Sequence, residues 1–315
     1  MAVAVRIARA AAGRDKIAFC GYHGWHDWYL GANMGEDTAL DGHLLPGLAP
    51  AGVPRGLRGT VLPFEYDRIE QLNAVIAAAG PDLGAIVMEP VRNEPAVGFL
   101  QAVREIATRT GAVLVFDEVL AGFLITAGGS HLKYGVNPDI AVVAKAMSNG
   151  YPMGAIIGRA AVMEAAQKSF ISSTYWTDRI GPAASLATIR KFRDRHVADH
   201  LISLGTRVQE GWQDAAEQHG LSVHVGGIPP LSHFSFDYPN VQAVRTLFTQ
   251  LMLDRAFLAG TSFYPMLAHT SANAQSYLSA VDEVFGLLAG AIAEESVERR
   301  LKGPVAHSGF ARLTG

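Results

Sequence analysis

Apolar residues in this chain fall into two kinds of segment. Short, nearly continuous runs occur at Lys16–Cys20, Thr60–Phe64, Ala85–Met88, Ala112–Phe116, Ile140–Ala144 and Gly154–Ile157, and such runs predict strands buried on both faces. Between them stand segments of helical character: Met1–Ala12, a helix capped by Asp67 and running to Ala79, and one from about Phe99 to Thr110. This alternation predicts an α/β architecture, a mostly parallel sheet with helices on both faces. Asn33–Gly59 carries Gly and Pro without periodicity and is expected to be an irregular surface excursion. Long helices follow at Arg179–Arg193 and Val197–His219, then a break at Gly226–Pro230, a strand by alternation at Leu231–Phe236, and amphipathic helices at Val241–Leu258 and Ala274–Arg300. The change of texture places a boundary near His196. It predicts a large domain over residues 1–195 and a smaller C-terminal α+β domain over residues 196–315.

Composition narrows the possibilities. Of 315 residues 49% are hydrophobic and only 17% charged, which excludes a disordered chain and fits a large buried core. Lys and Arg number 26 against 29 acids, and the only basic cluster is the short Glu298–Lys302 stretch, so no electrostatic footprint for nucleic acid exists. A single cysteine, Cys20, cannot form an internal disulfide, which suits a reducing compartment and makes the cytoplasm the expected location. No uninterrupted apolar run approaches the ~18 residues of a membrane span, so no membrane association is expected. Met1–Arg14 has arginines and no acid, like a transit peptide, but it lacks serine and runs straight into a core strand.

In open parallel sheets, ligands bind beyond the carboxyl ends of the strands. Tyr22, Glu89, Asp117 and Lys145 fall at those ends. An aspartate beside a pyridine nitrogen keeps that ring protonated, and a lysine beside an aldehyde forms an imine with it. Together they suit pyridoxal phosphate, although a plain Asp117–Lys145 ion pair has the same pattern. Other features point to ordinary packing or surface. His23, His26 and Asp27 stand too close together to supply a metal's ligands unaided, and His196 and His200 form an i, i+4 pair without the glutamate of a metalloprotease helix. Cys20 reads as a packed side chain. Tyr175 and Trp176 suit either a pocket lining or packing.

Six motifs occur in order: Gly21–Asp27, Met88–Val91, Phe116–Val119, Pro138–Lys145, Asn149–Met153 and Ser172–Trp176. This series resembles the class III aminotransferases among the fold-type-I pyridoxal-phosphate enzymes, in the branch of glutamate-1-semialdehyde aminomutase and of relatives in surface-sugar pathways. The resemblance implies amino-group transfer between a small amino donor and a carbonyl acceptor, by a transaminase or an aminomutase. It implies Lys145 as the lysine that bonds the cofactor and shuttles the substrate proton, and Asp117 as the partner of the pyridinium. Tyr22 and Val119 would pack on the two ring faces, Glu89 would stand near the ring, and Thr174 would reach the phosphate in a partner's site, so a homodimer is implied. Two departures accompany the likeness. The chain starts after the family's Ser/Gly-rich phosphate loop, which leads to the expectation of weak cofactor retention and, as the alternative, a weakly active or non-catalytic remnant. Leu124 stands where relatives carry Arg after Gly-Phe.

Overall fold

The computed structural model describes residues 1–36, 38–43 and 47–309. Its short apolar runs are strands: β1 (Lys16–Cys20), β2 (Val61–Pro63), β3 (Leu83–Met88), β4 (Val113–Glu118), β5 (Ile140–Val143) and β6 (Ala155–Gly158). They pair in the order β2-β1-β3-β4-β5-β6. The first five run parallel, and β6 returns antiparallel to β5. The accompanying helices are α1 (Ala2–Ala12), α2 (Asp27–Leu30), α3 (Ile69–Ala79), α4 (Phe99–Thr110), α5 (Ala160–Met163) and α6 (Ile180–Asp194).

Successive side chains of a strand point to opposite faces, and this parity divides the core. Ile17, Phe19, Ala85, Val87, Val113 and Val115 pack against Ala4, Val5, Ile7 and Ala8 of α1. Ala18, Cys20, Ile86, Met88, Leu114 and Phe116 pack instead against Leu72 of α3 and Phe99, Leu100 and Val103 of α4. Near-continuous apolar strands are what a sheet covered on both sides requires.

The described residues divide into two compact units, one within residues 1–91, 95–193 and 309, the other of residues 92–94 and 194–308. The second contains α7 (Val197–His219), β7 (Val223–Gly226), β8 (Ser232–Phe236), α8 (Val241–Leu253), β9 (Ser262–Phe263) and α9 (Ser271–Ala293). Its three strands form an antiparallel sheet in the order β7-β8-β9. Trp212, Phe234, Phe236, Phe248 and Phe285 form an aromatic core under it. Helix α9 is long and apolar enough to cross a membrane by length and mean hydropathy, but Tyr277, Val281, Val284, Phe285 and Leu288 line this core.

Three sequence expectations are corrected. Asp67 does not cap α3: it lies at φ +62°, its carboxylate accepts the Ala96 N–H at 3.0 Å, and the helix starts after Arg68. Helix α8 ends at Leu253 rather than Leu258, and α9 at Ala293 rather than Arg300. Both stop through a left-handed residue, Ala256 at φ +63° and Glu295 at φ +51°. The following N–H groups then bond back five residues, Phe257 to Met252 and Ser296 to Ala291, which satisfies carbonyls a continuing helix would have used.

Asp139, at the entrance to β5, ties four elements together. Its Oδ2 accepts from Arg104 of α4 and from the Leu114 N–H of β4, each at 2.9 Å, and its Oδ1 accepts from Arg159, beyond β6, at 2.8 Å. Burial alone would raise this carboxyl, but the Leu114 N–H and the two guanidinium groups overcome it and hold it below the ordinary aspartate range. We expect Asp139→Ala to cost about 2–4 kcal/mol in urea unfolding at neutral pH, since it strands two cations and a buried N–H. Because the folded-state carboxyl is depressed, its stabilisation is present above the unfolded aspartate value near ~4 and is lost as pH falls through the lower folded value. Wild type and Asp139→Ala should therefore converge in stability in strong acid, and equal stability at neutral pH would rule out the staple.

Candidate active site at the strand ends

The register of the parallel strands brings one residue set to a common edge. Cys20 pairs with Met88, Met88 with Phe116, and Asp117 with Val142. The residues just beyond, Gly21 to His23, Glu89, Asp117 and Lys145, therefore emerge side by side at the carboxyl ends of β1, β3, β4 and β5.

Asp117 is buried, and both its oxygens are engaged. Oδ1 accepts the Val119 N–H at 3.1 Å, and Oδ2 lies 2.8 Å from His23 Nδ1. The other nitrogen of His23, Nε2, is 3.0 Å from the Cys20 carbonyl oxygen. A carbonyl can only accept, so Nε2 carries a hydrogen, and one further proton sits between Nδ1 and Asp117. Trp28 stacks on the imidazole at 6.0 Å and 24°, and its buried ring N–H has no partner among the described residues. In the sequence His23 stands in a motif and in a His23–His26–Asp27 cluster too tight for a metal. That it crosses β3 to orient Asp117 could be read only from the sheet order.

Lys145 is exposed just past β5 in the left-handed region, φ +45°, a costly conformation for a side chain with a Cβ and one that occurs at functional sites. Its carbonyl accepts the N–H groups of Ser148 and Asn149. Among the described residues its amine has no hydrogen-bond or ion-pair partner, so the structure does not pair it with Asp117. Tyr22 is 38% exposed and meets Tyr29 edge-on at 5.9 Å. Glu89 is buried beside Gly21, and Val119 is half-buried. Thr174 lies exposed in the segment before α6. Its neighbours Tyr175 and Trp176 line a cavity of about 1020 Å³ together with Ile7, Met153 and Phe170.

Glu118 points to the opposite face from Asp117. Fully buried, it accepts from the N–H and hydroxyl of Ser130 and from the N–H of His131, and His131 Nδ1 lies 2.7 Å from it. It thus anchors the return of the 119–129 loop, in which Leu124 is half-buried. Among the described residues no group of three or more His, Cys, Asp or Glu is placed to hold a metal ion.

A family model described as Aminotransferase class-III matches residues 1–254. The 3-aminobutyryl-CoA aminotransferase of Cloacimonas acidaminovorans is 30% identical over 268 residues, 81% of this chain and 61% of that protein. A glutamate-1-semialdehyde 2,1-aminomutase of Neisseria meningitidis is 30% identical over 311 residues, 91% of this chain and 71% of its own length. The chain thus spans 61% of the first relative's length. Among solved structures, the FumI protein of Sphingopyxis sp. MTA144 superposes with a TM-score of 0.81 at 24% identity, over 93% of this chain and 69% of that one. An omega-transaminase of Sphaerobacter thermophilus gives 0.79 at 23% identity, over 92% and 72%. What these structures share with the chain is the fold, that of the fold-type-I pyridoxal-phosphate transaminases.

Cys20 closes β1 beneath this edge. Burial, with Glu89, Asp67 and Glu65 nearby, pushes its thiol up to about 12, so almost no thiolate exists at pH 8 in the folded chain. Iodoacetamide should label native Cys20 at least ~100-fold more slowly than the urea-unfolded chain at that pH. Comparable rates would show that the strand end is open.

Proposed function

The chain belongs to the class-III aminotransferase family, and from that premise we propose that it transfers amino groups between small amines and carbonyl compounds, with pyridoxal phosphate held at the strand ends. One observation carries this reading. A lysine amine that has no partner among the described residues stands just beyond β5, next to a strand whose penultimate residue, Asp117, is a carboxylate buried and oriented by other groups.

The residues fit the cofactor. Lys145 offers an amine that an aldehyde can take up. Asp117 offers a fixed negative charge to a ring nitrogen, and His23 and the Val119 N–H hold that carboxylate in one orientation. Tyr22 supplies an aromatic face and Val119 an aliphatic one, with Glu89 nearby. When bound, pyridoxal phosphate supplies an electron sink for a carbanion next to the transferred nitrogen. Lys145 then serves as the base and acid that moves the substrate proton, and Asp117 favours the protonated ring nitrogen by its charge.

A homodimer completes this reading. Phe170, Tyr175 and Trp176 are large apolar side chains left exposed around the cavity, which supports a covering partner. Thr174, exposed in the segment before α6, would then serve the neighbour's cofactor. The single buried cysteine favours a reducing compartment, the cytoplasm.

Treating the purified chain with pyridoxal phosphate and borohydride should leave a phosphopyridoxyl group on one peptide, the one containing Lys145, and on none in Lys145→Ala. A label located elsewhere would overturn the assignment. Asp117→Asn should keep the label yet slow amine transfer by at least ~100-fold, about 1.4 kcal/mol for each tenfold. Near-normal transfer in that variant would remove Asp117 from the mechanism.

A further inference from the structure

Gly21 joins the end of β1 to Tyr22 and lies at φ +99°. A residue with a side chain would be strained at that φ, and its Cβ would stand 2.8 Å from Glu89 Oε2, which would have to move. Glycine has the most backbone freedom to lose, so the two peptide planes flanking its Cα must be fixed from outside. The structure shows how. The Gly21 N–H donates to Nδ1 of His43 at 3.2 Å, and the Gly21 carbonyl accepts from the hydroxyl of the fully buried Tyr29 at 3.0 Å. One bond fixes the plane before the Cα and the other the plane after it. Together they set both dihedral angles of Gly21 and hence the direction in which Tyr22 leaves the strand.

The geometry points to His43 as a positioning residue for the cofactor's ring: as a neutral acceptor it holds the Gly21 peptide so that Tyr22 is presented to the ring, and without that acceptor Tyr22 swings free. The proposal rests on the reading that Tyr22 covers the ring. It gives the irregular 33–59 segment a task, since it returns an imidazole to the strand end, where His43 also packs on Phe19 at 5.1 Å.

An Nδ1 that accepts is unprotonated, so the hydrogen sits on Nε2. Protonation of Nδ1 turns the acceptor into a donor and breaks the bond. Among the described residues the titratable groups facing His43 are His23 and Glu65, with the Tyr29 hydroxyl across the same peptide. Burial, and then His23, lower its titration below the ordinary histidine value, while Glu65 opposes them. The clamp is thus closed at neutral pH and opens only in acid.

Amide hydrogen exchange reads the clamp without cofactor. At pH 7.5, in the purified chain, the Gly21 amide should exchange about tenfold faster in His43→Leu than in wild type. It should stay close to wild type in His43→Gln, whose side-chain oxygen still accepts. Tyr29→Phe should loosen the same segment from the other side. Binding of pyridoxal phosphate, followed by its absorbance, should weaken about five- to tenfold in His43→Leu and recover in His43→Gln. Wild type should lose affinity more steeply than His43→Gln as pH falls to about 5. Unchanged Gly21 exchange in His43→Leu would overturn the clamp, as would a His43→Gln protein no better than His43→Leu. Faster exchange with unchanged cofactor affinity would overturn the positioning role, provided Tyr22→Leu does weaken binding. If Tyr22→Leu binds normally, or wild type does not bind at all, the underlying reading of the site fails and the proposal with it, while the exchange data still decide the clamp.

Discussion

Everything at the strand ends depends on how one buried carboxylate is satisfied. Asp117 has lost its water, and a buried carboxylate without hydrogen bonds is too costly to survive. The residues that follow it supply one donor, the Val119 N–H. The second oxygen needs a donor from elsewhere, and the sheet order supplies it. With β1 only one strand removed from β4, His23 reaches across the end of β3. That imidazole, also buried, must satisfy its other nitrogen, and the Cys20 carbonyl at the end of its own strand does so. A chain of obligatory bonds thus runs from β1 to β4, and the side chains between them are placed by it.

Strand parity divides the labour of neighbouring residues. Asp117 shares the α1 face and projects at the candidate site, while Glu118, one residue on, turns to the other face and spends its carboxylate on Ser130 and His131. The next strand is organised from its entrance. The four-residue β5 is tied by Asp139 to β4, α4 and the residue after β6, so where Lys145 emerges is set at the opposite end of the strand. A site residue and its anchor are separated by little more than one strand length, which lets a short element hold a precise exit.

What was legible in the sequence follows from the range of the forces involved. Continuous apolar runs report burial on both faces, so the strands and the set Tyr22, Glu89, Asp117 and Lys145 at their ends could be read directly. Helix α7 ends where Gly220 takes the left-handed cap, a stop visible in the residue type. Helices α8 and α9 end through Ala256 and Glu295, residues that do not announce a left-handed turn, and both were read too long. Asp67 looked like a cap because helix N-caps and loop-bracing aspartates share one chemistry, and its partner Ala96 is 29 residues away. His23 and His43 escaped for a related reason: their roles are long-range hydrogen bonds, 94 residues to Asp117 and 22 to Gly21, with no local pattern.

The sequence alone left open whether Asp117 and Lys145 simply neutralise one another. In the fold they do not, and the reason lies in the supply of donors. Both Asp117 oxygens are already engaged by His23 and the Val119 N–H, so the carboxylate has no need of the ammonium. Among the described residues Lys145 keeps its amine unpaired, on a left-handed backbone that an ordinary strand end would not adopt. A lysine locked in an ion pair would remain an ammonium and a poor nucleophile. By giving the aspartate a histidine, the fold keeps the two charged groups of one edge separately available. A ligand that offers a basic ring nitrogen to one and an aldehyde to the other can then engage both.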